Sequence, residues 1–504
     1  MTRVVLLGSS PGPDTSPTGL RLAALPGNPT VAERLRSQLA SYDPRPATIE
    51  TGDVAAALRA LADVADSATE SLFIVPENSV VHDELIYQIT KAKRGALVLV
   101  AKEPRPEVTE EEQEQEDTVP IDEAEPEIGA GRLEGLPVRA RVGKSRVVSV
   151  GTARHAVTRP NAAMLGPIHL SARNAPVLAQ TCRELALMAD RFGADDDLVQ
   201  LIVFGLVRNG VSVGIRGRRD LFYRRVGTQE EANEAGAEMA GMNEDRARLN
   251  NAVKGADGFF TTYFVSTYSR FIARWAARRG LTPNQVTLIS IVLGVAAAAC
   301  FATGERPWMI AGGLLIYFAF VFDCVDGQVA RYARKFGVLG AWLDATFDRF
   351  KEYVVFAGLA LGWVVSGNSD DIWILALAAI GLQSVRHLLD FSFGISNRRK
   401  PPAQLPTLPL DAPDDRDLRK ALERRKVERS QGLRGVLKMW TRAGKFRVVH
   451  WARKMIVFPI GERFAAIAIT AALFDARITF LTLVIWGSVA AAYTLTGRLM
   501  RSLV

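Results

Sequence analysis

Six long apolar runs occupy the second half of the chain, at about residues 286–303, 308–323, 341–365, 372–393, 455–474 and 478–497. A helix needs about 20 mainly apolar residues to cross the hydrocarbon core of a bilayer, and each run is close to that length. Helices satisfy their own backbone hydrogen bonds in lipid, which irregular chain cannot do. The runs therefore predict an all-α membrane domain of six transmembrane helices over residues 283–504.

Basic residues cluster in four of the connections around these runs. Residues 398–454, between the fourth and fifth runs, hold seventeen Lys/Arg and six Asp/Glu, an excess larger than the +8 of the whole chain. All four clusters fall on one side of the predicted bilayer, so both termini are expected to be cytoplasmic. A basic segment between spans indicates a loop facing anionic lipid and argues against nucleic acid as a partner. We expect a multi-pass protein of the cell (plasma) membrane.

The first 250 residues have a different pattern, in which short apolar runs alternate with helical patterns. Apolar runs at residues 3–7, 71–75 and 96–100 are separated by helical patterns at 30–39 and 82–91. This βαβ alternation favours an α/β domain with a parallel sheet. The opening segment MTRVVLLGSSPG has too few apolar residues for a signal peptide, so residues 1–250 are expected to stay in the cytoplasm.

Two further segments and the cysteines complete the organisation of the chain. Residues 103–127 contain twelve acidic residues and one basic residue, which predicts a disordered acidic insertion over residues 103–133. Residues 258–280 mix aromatic residues with arginines, as a juxtamembrane amphipathic helix does, within a linker over residues 251–282. The three cysteines are far apart and form no CxxC pair, which excludes a disulfide framework and a cysteine zinc site.

Four aspartates lie at the cytoplasmic edge of the predicted membrane domain. Asp323 and Asp326 are three residues apart near the end of one helix, and Asp344 and Asp348 are four residues apart on the next. Each pair therefore shares a helix face. Carboxylates at this depth are costly unless they bind cations or line a polar cavity. Hard oxygen ligands on two neighbouring helices predict a Mg²⁺ site for metal-assisted phosphoryl transfer.

The segment DCVDGQVARYARKFGVLGAWLDATFD, residues 323–348, resembles the signature of the CDP-alcohol phosphotransferase (CDP-alcohol phosphatidyltransferase) family. The pattern is D-x2-D-G-x2-A-R-x8-G-x3-D-x3-D, and every position is matched here, by Asp323, Asp326, Gly327, Ala330, Arg331, Gly340, Asp344 and Asp348.

The resemblance implies a role for each residue of the signature. The four aspartates would hold two ions of Mg²⁺, or of Mn²⁺, and Asp348 would also be catalytic, as the base on the acceptor hydroxyl. Nucleotide binding would fall to Asp326, Gly327, Ala330, Arg331 and Gly340, since small residues let a pyrophosphate approach the backbone. For Arg331, an ion pair with an aspartate is an equally good interpretation.

Polar residues elsewhere in the apolar runs are candidates for the acceptor site. Arg386 and Arg463 lie within the fourth and fifth runs and suit an anionic acceptor, although long arginine side chains also extend to the membrane surface. The segment LTPNQVT, residues 281–287, resembles the family's entry to its first span. Pro283 and Asn284 would start this helix, and a plain helix cap is at least as good an interpretation of the segment as contact with the nucleotide.

The N-terminal half resembles a nucleotidyltransferase-like domain, as found in bifunctional inositol-1-phosphate cytidylyltransferase/di-myo-inositol-phosphate-phosphate synthases. VVLLGSSPG, LPGNPTVAERL and FYRRVGTQEEANEA carry this resemblance. Two positions depart from it: Asn28 replaces the usual lysine, and Pro76, Glu77 and Asn78 replace the metal-binding aspartate. The resemblance therefore implies a degenerate domain without activity.

Together these patterns predict an enzyme that uses Mg²⁺ to transfer a phosphate-linked alcohol from a CDP-alcohol to an acceptor hydroxyl, with release of CMP, in phospholipid or inositol-phosphate-type lipid synthesis. Its expected partners are the CDP-alcohol donor, the hydroxyl acceptor, the lipid bilayer and a second copy in a homodimer. The alternatives are a catalytically silent membrane scaffold or binding protein, and a bifunctional enzyme that also makes its own CDP-alcohol.

Overall fold

The computed structural model describes residues 2–8, 19–91, 95–102, 125–129, 131–143, 145–193, 195–218, 221–254, 258–399, 404–428 and 447–502. It divides into two compact units, which we call the N-terminal unit (Met1–Met242 with Pro401–Glu428) and the helical unit (Asn243–Lys400 with Arg429–Val504). Most of the predicted acidic insertion, residues 103–124, lies outside the described residues. Residues 126–127 and 132–133, at its end, form short strands.

The strands of the N-terminal unit are β1 Thr2–Gly8, β2 Ala47–Glu50, β3 Ser71–Pro76, β4 Ser79–Val81, β5 Ala96–Lys102, β6 Pro126–Glu127, β7 Arg132–Leu133, β8 Leu136–Pro137, β9 Ala140–Val142, β10 Val147–Val150, β11 Val157–Thr158, β12 Ala162–Leu170, β13 Val213–Arg216 and β14 Tyr223–Arg225. Its helices are α1 Val31–Leu39, α2 Val54–Asp66, α3 Asp83–Thr90, α4 Ala175–Ala186, α5 Leu198–Arg208 and α6 Gln229–Gly241.

The main sheet is mixed, which corrects the prediction of a parallel sheet. β1 pairs in parallel with β2 and β3, and β13 pairs in parallel with β5. The central strand β12, however, runs antiparallel to β3, β5 and β9. All nine residues of β12 are buried. The α/β class is confirmed. The strand order around β12 depends on pairing between segments that are distant in the sequence, which local periodicity cannot predict.

Gly166 and Pro167 lie in the middle of β12, where the sequence pattern indicates a break. The register against β5 shifts between Met164 and Ile168, so this dipeptide lies in a bulge. A bulge tolerates proline because the ladder does not need its missing N–H there. A side chain at Gly166 would collide with the hydroxyl of Tyr223, which donates a hydrogen bond to the carbonyl of Leu165 at 2.9 Å.

A segment from the second half of the chain belongs to the N-terminal unit. We call residues 404–428 the strap; it contains α13, Arg416–Glu428. Leu405, Leu408 and Leu418 are buried in the same apolar core as β5 and α5. This region was predicted to be a cytoplasmic loop, and its apolar residues show why it packs as part of a domain.

Buried polar contacts fix the strap on the N-terminal unit. The Arg208 guanidinium donates to the carbonyls of Pro409, Leu410 and Ala412 at 2.8–2.9 Å. Burial lowers the pKa of Arg208 to about 10, so the group is still charged at neutral pH. Asp415 accepts hydrogen bonds from Ser149 Oγ at 2.5 Å and from the backbone N–H of Thr158 at 2.9 Å. The strap is therefore held by charge-assisted bonds as well as by apolar packing.

The helical unit contains α7 Glu244–Ala252, a π-helical turn Thr261–Val265, α8 Ser266–Arg278, α9 Pro283–Ala302, α10 Arg306–Tyr332, α11 Val338–Val365, α12 Ile372–Arg399, α14 Arg447–Ile456, α15 Ile460–Leu473 and α16 Ala476–Ser502. The exposed aromatic residues of α8, Phe271 and Trp275, lie beside arginines, as predicted for an interfacial helix.

Among the described residues, four helices are long and apolar enough to cross a bilayer: Pro283–Ala302, Arg306–Tyr332, Ile372–Ser396 and Ala476–Leu499. The prediction of six spans is thus confirmed only in part. The first half of α11 carries five charged residues, from Asp344 to Glu352, and α15 has only 14 residues. Charge and length explain why these two helices differ from the other four.

Candidate functional site

The four predicted aspartates lie on two neighbouring helices, α10 and α11. One carboxylate oxygen each from Asp323, Asp326 and Asp344 lies within 4.8 Å of the other two. Asp326 is 4% exposed, whereas Asp344 is exposed. The structure therefore brings together residues that are up to 21 positions apart in the sequence, as the spacing of the signature predicts.

Asp348 lies next to this group but has cationic neighbours. Its Oδ1 is 3.1 Å from Lys351 Nζ, and its Oδ2 is 3.7 Å from Arg349 Nη1. Oδ1 is buried, and the Lys351 ammonium is its charged neighbour. The three converging carboxylates of Asp323, Asp326 and Asp344 fit a site for a hard divalent cation such as Mg²⁺ or Mn²⁺.

The start of α9 supplies a contact to the site that sequence reasoning did not identify. Thr282 forms a capping box with Gln285, and Pro283 occupies the first helical turn, so the segment starts the helix with Thr282 as its cap. One turn later, Thr287 Oγ1 donates to Asp326 Oδ2 at 2.6 Å. The motif therefore starts the helix and also orients a candidate metal ligand. Thr287 lies within the quoted motif, but the direction of its side chain depends on how α9 packs against α10.

Lys351 is the second residue of the site that sequence reasoning missed. It lies on α11, its side chain is 1% exposed, and it pairs with Asp323 and Asp348. Its ammonium also donates to Ser290 Oγ on α9, at 2.8 Å. The available signal was a lysine three residues after Asp348 within an apolar run, because positions i and i+3 share a helix face.

Two small residues of the signature make close approaches. A side chain at Gly340 would place its Cβ 2.8 Å from Asn284 Oδ1, so a larger residue here would displace the Asn284 side chain at the start of α9. A Cβ at Gly327 would lie 3.2 Å from Arg331 Nη1. Arg331 Nε donates to the carbonyl of Ala252 at the end of α7. Arg331 is thus held by the backbone, with Gly327 beneath its guanidinium.

The acceptor candidates Arg386 and Arg463 belong to a separate buried cluster. Arg463 Nε lies 2.9 Å from Glu352 Oε1, and Arg386 Nη2 donates to the carbonyl of Val457 at 2.6 Å. Glu352 also lies 3.9 Å from His387 Nε2. Both arginines are buried rather than extended to the surface. The cluster contains two guanidinium groups and the Glu352 carboxylate, an excess of positive charge among these three groups.

In the N-terminal unit, the positions that depart from the nucleotidyltransferase pattern have structural partners. Glu77, at the end of β3, is buried and forms an ion pair of 2.5 Å with Arg36. Asn78 donates to the carbonyl of Val226 at 3.0 Å. Asn28 has φ of 44°, a left-handed conformation that asparagine tolerates better than most residues. The Gly-rich loop predicted at residues 8–19 lies largely outside the described residues.

With this geometry in view, comparison with known proteins identifies the region that carries the aspartates. Residues 280–403 match the family model described as CDP-alcohol phosphatidyltransferase. The chain contains a CDP-alcohol phosphatidyltransferase domain. The match begins just before α9 and includes α9, α10, α11 and the whole of α12, and therefore all eight residues of the signature.

Curated relatives support the same assignment. The chain is 38% identical over 106 residues to a phosphatidylinositol phosphate synthase of Mycobacterium marinum, an alignment that covers 21% of this chain and 44% of the relative. It is 34% identical over 153 residues to a bifunctional IPC transferase and DIPP synthase of Archaeoglobus fulgidus, which covers 30% of each. The chain thus spans less than half the length of these relatives.

Among solved structures, the chain is similar to the inositol-1-phosphate CTP transferase from T. maritima. The TM-score is 0.27 and the sequence identity 11%, and the superposition covers 48% of this chain and 97% of that structure.

Proposed function

We propose that the protein transfers a phosphate-linked alcohol from a CDP-alcohol to an acceptor hydroxyl and releases CMP. The observation that carries this proposal is the convergence of the Asp323, Asp326 and Asp344 carboxylates, within 4.8 Å, in the domain that matches the family. Three carboxylates this close repel one another unless a cation balances them. A diphosphate-linked donor binds through such a cation.

Asp323, Asp326 and Asp344 would hold a divalent ion, and Asp348 borders the same space. When bound, Mg²⁺ or Mn²⁺ neutralises charge on the donor's diphosphate and polarises the phosphorus for attack. Thr287 supports this role because its hydrogen bond fixes one oxygen of Asp326 and leaves the other for a ligand.

Asp348 is proposed as the general base. Its carboxylate takes the proton of the acceptor hydroxyl, the resulting oxygen forms a bond to the donor's β-phosphorus, and the bond from that phosphorus to the CMP oxygen breaks. Lys351 Nζ lies 3.1 Å from this carboxylate and Arg349 Nη1 lies 3.7 Å from it.

The small residues Gly327, Ala330 and Gly340 are proposed to line the nucleotide site together with Arg331. Gly327 and Gly340 already show close approaches to neighbouring polar groups, and the same lack of a Cβ lets a pyrophosphate reach the backbone. Arg331, whose Nε donates to the carbonyl of Ala252, would contact phosphate through its guanidinium group.

We propose an inositol phosphate as the acceptor and a CDP-diacylglycerol as the donor. The relatives include phosphatidylinositol phosphate synthases, and the cluster of Arg386, Arg463 and Glu352 has the excess positive charge that a phosphate monoester needs. The location in the plasma membrane, the cytoplasmic termini and the homodimer stay predictions.

The N-terminal unit is proposed to be a nucleotidyltransferase-like domain without activity. Glu77 is the acidic residue at the strand end where the resemblance places a metal ligand, and Arg36 already neutralises it. A scaffolding role fits a domain in which this buried carboxylate is neutralised by its own guanidinium.

The test is CMP release by the full-length protein in lipid nanodiscs. With Mg²⁺ and CDP-diacylglycerol, we expect release to depend on the acceptor, with inositol phosphate exceeding glycerol phosphate and free inositol. Lack of turnover with every donor and acceptor would identify a silent scaffold. Pyrophosphate release from CTP and inositol phosphate would show that the N-terminal unit is also an enzyme.

A further inference from the structure

Lys351 is a buried lysine that the proposed reaction does not by itself require. An ammonium group in a membrane-facing helical unit is costly to bury and persists only where anions and hydrogen-bond acceptors surround it. Its side chain is 1% exposed, and its three partners come from three helices: Ser290 on α9, Asp323 on α10 and Asp348 on α11.

The neighbouring helix is shaped to receive this side chain. A Cβ at Gly294 on α9 would lie 2.9 Å from Lys351 Cγ and 3.2 Å from its Cδ, so any larger residue would displace the aliphatic stem. Ser290, one turn before Gly294, donates its own hydroxyl hydrogen to the carbonyl of Ala319 at 2.8 Å. This bond leaves a lone pair of Ser290 Oγ to accept from the ammonium. Gly294 therefore leaves space for the aliphatic stem of Lys351, and Ser290 supplies an acceptor for its ammonium group.

The ammonium divides the four aspartates into two groups. Asp323, Asp326 and Asp344 form the set within 4.8 Å that suits one ion. Asp348 is outside that set, and the cation between it and Asp323 is Lys351 itself. A second divalent ion bridging Asp323 and Asp348 would have to share this space with a positive charge about 3 Å away, which is strongly unfavourable in a medium of low dielectric constant.

We propose that Lys351 is a resident cation of the aspartate site, which takes the place of a second metal ion between Asp323 and Asp348. The native protein then binds one divalent ion per chain rather than the two that the family resemblance implies. Lys351 is a positioning residue that holds the Asp348 carboxylate beside the metal site. This inference rests on the proposed metal-dependent function and adds the number of ions to it.

The test counts Mn²⁺ ions bound to full-length protein in detergent micelles, from the electron paramagnetic resonance signal of free Mn²⁺. The variants are Lys351→Met, which keeps an unbranched stem without the charge, Lys351→Arg, which keeps the charge, and Lys335→Met. Lys335 is exposed on the connection between α10 and α11, so its substitution is a matched loss of one lysine.

We expect one ion in the native protein, in Lys351→Arg and in Lys335→Met, and two ions in Lys351→Met. Loss of the nearby positive charge is expected to tighten Mn²⁺ binding in Lys351→Met by about tenfold or more. Two ions in the native protein overturn the inference even where Lys351→Met does not fold. Equal numbers in the native protein and in Lys351→Met overturn it while metal-dependent transfer stands. Absence of Mn²⁺ binding in all the proteins overturns the proposed function as well.

Discussion

Buried carboxylates are balanced differently in the two units of this protein. In the N-terminal unit, the buried Glu77 pairs with Arg36 at 2.5 Å, the buried Asp196 with Arg139 at 2.7 Å, and the half-buried Asp197 with Arg225 at 2.8 Å. Each of these acids has its own guanidinium. In the helical unit, three aspartates of one signature converge with a fourth, Asp348, beside them, and the buried lysine next to them contacts only two of the four.

The difference shows how to separate structural charge from functional charge. A one-to-one buried ion pair needs nothing further, since each group neutralises the other. A group of carboxylates with too few cations is unfavourable by itself, so a fold retains it where an external cation completes it. The helical unit therefore contains the candidate metal site, and the ion pairs of the N-terminal unit serve its fold.

The largest effect is expected from Asp326→Asn. This change removes the charge of one of the three converging carboxylates and leaves a single side-chain oxygen, which would have to serve both the Thr287 hydrogen bond and the metal. Metal binding and donor binding should weaken together, and transfer should fall by about 10³-fold or more, because the carboxylate charge and one of its oxygens are both lost. Isothermal titration with Mn²⁺ and with CDP-diacylglycerol measures metal binding and donor binding, and CMP release measures transfer. Donor affinity unchanged from the native protein would contradict the assignment.

Asp348→Asn separates the proposed base from the metal ligands. Transfer should fall by about 10²–10⁴-fold, as expected for the loss of a general base, while donor binding changes little. Single-turnover CMP release and donor titration make this distinction. Asn284→Ala serves as a control, because Asn284 lies beside Gly340 but contributes no carboxylate. Full activity in Asp348→Asn would rule out the role of base.

Arg208→Met tests whether the charges of the N-terminal unit are structural. The substitution leaves three strap carbonyls without their donor and should destabilise this unit by about 3–5 kcal/mol. Hydrogen exchange, read separately for peptides of each unit, should show faster exchange in residues 198–208 and 404–428, with helices α9 to α11 unchanged. Arg183→Met removes an exposed pair with Asp66 and should have little effect. Equal exchange in the two variants would show that the strap is held without Arg208.

Thr287→Val should weaken metal binding moderately. The hydroxyl donates at 2.6 Å to Asp326, and a hydrogen bond to a charged group contributes about 1.5–3 kcal/mol, so we expect a loss of metal affinity of about tenfold or more. The loss of metal affinity is measured from the Mg²⁺ dependence of CMP release. Thr287→Ser keeps the hydroxyl and should restore most of the affinity; failure of serine to do so would point to packing by the methyl group.

The smallest effect is expected from Glu77→Gln. Since Arg36 is half exposed, the loss of this ion pair should cost about 1 kcal/mol or less, and CMP release should stay within about twofold of the native rate. Thermal unfolding and the transfer assay check both values. If the native protein releases pyrophosphate from CTP and this release falls in Glu77→Gln, the carboxylate is catalytic and the contrast between the two units fails.

Sequence patterns were sufficient wherever neighbours along the chain decide the structure. Thr30 caps α1 with Glu33 in a capping box, and the helix ends at Leu39, as its periodicity predicts. The spacing of the aspartates was informative for the same reason, because positions i, i+3 and i+4 share a helix face in any context. The family signature could thus be identified, and the matching family model confirms the domain that it predicted.

Contacts between distant segments were decided by the tertiary structure alone. β12 contains Gly166–Pro167 and is nevertheless the central strand, because β3 and β5 pair with it on either side of a bulge. The strap lies nearly 200 residues after Arg208 and completes the core of the N-terminal unit, which no local pattern reveals. Lys351 follows the same rule, since its burial depends on a glycine of α9. Periodicity and motif spacing are properties of short segments, whereas strand order, domain membership and charge balance depend on which segments meet in space.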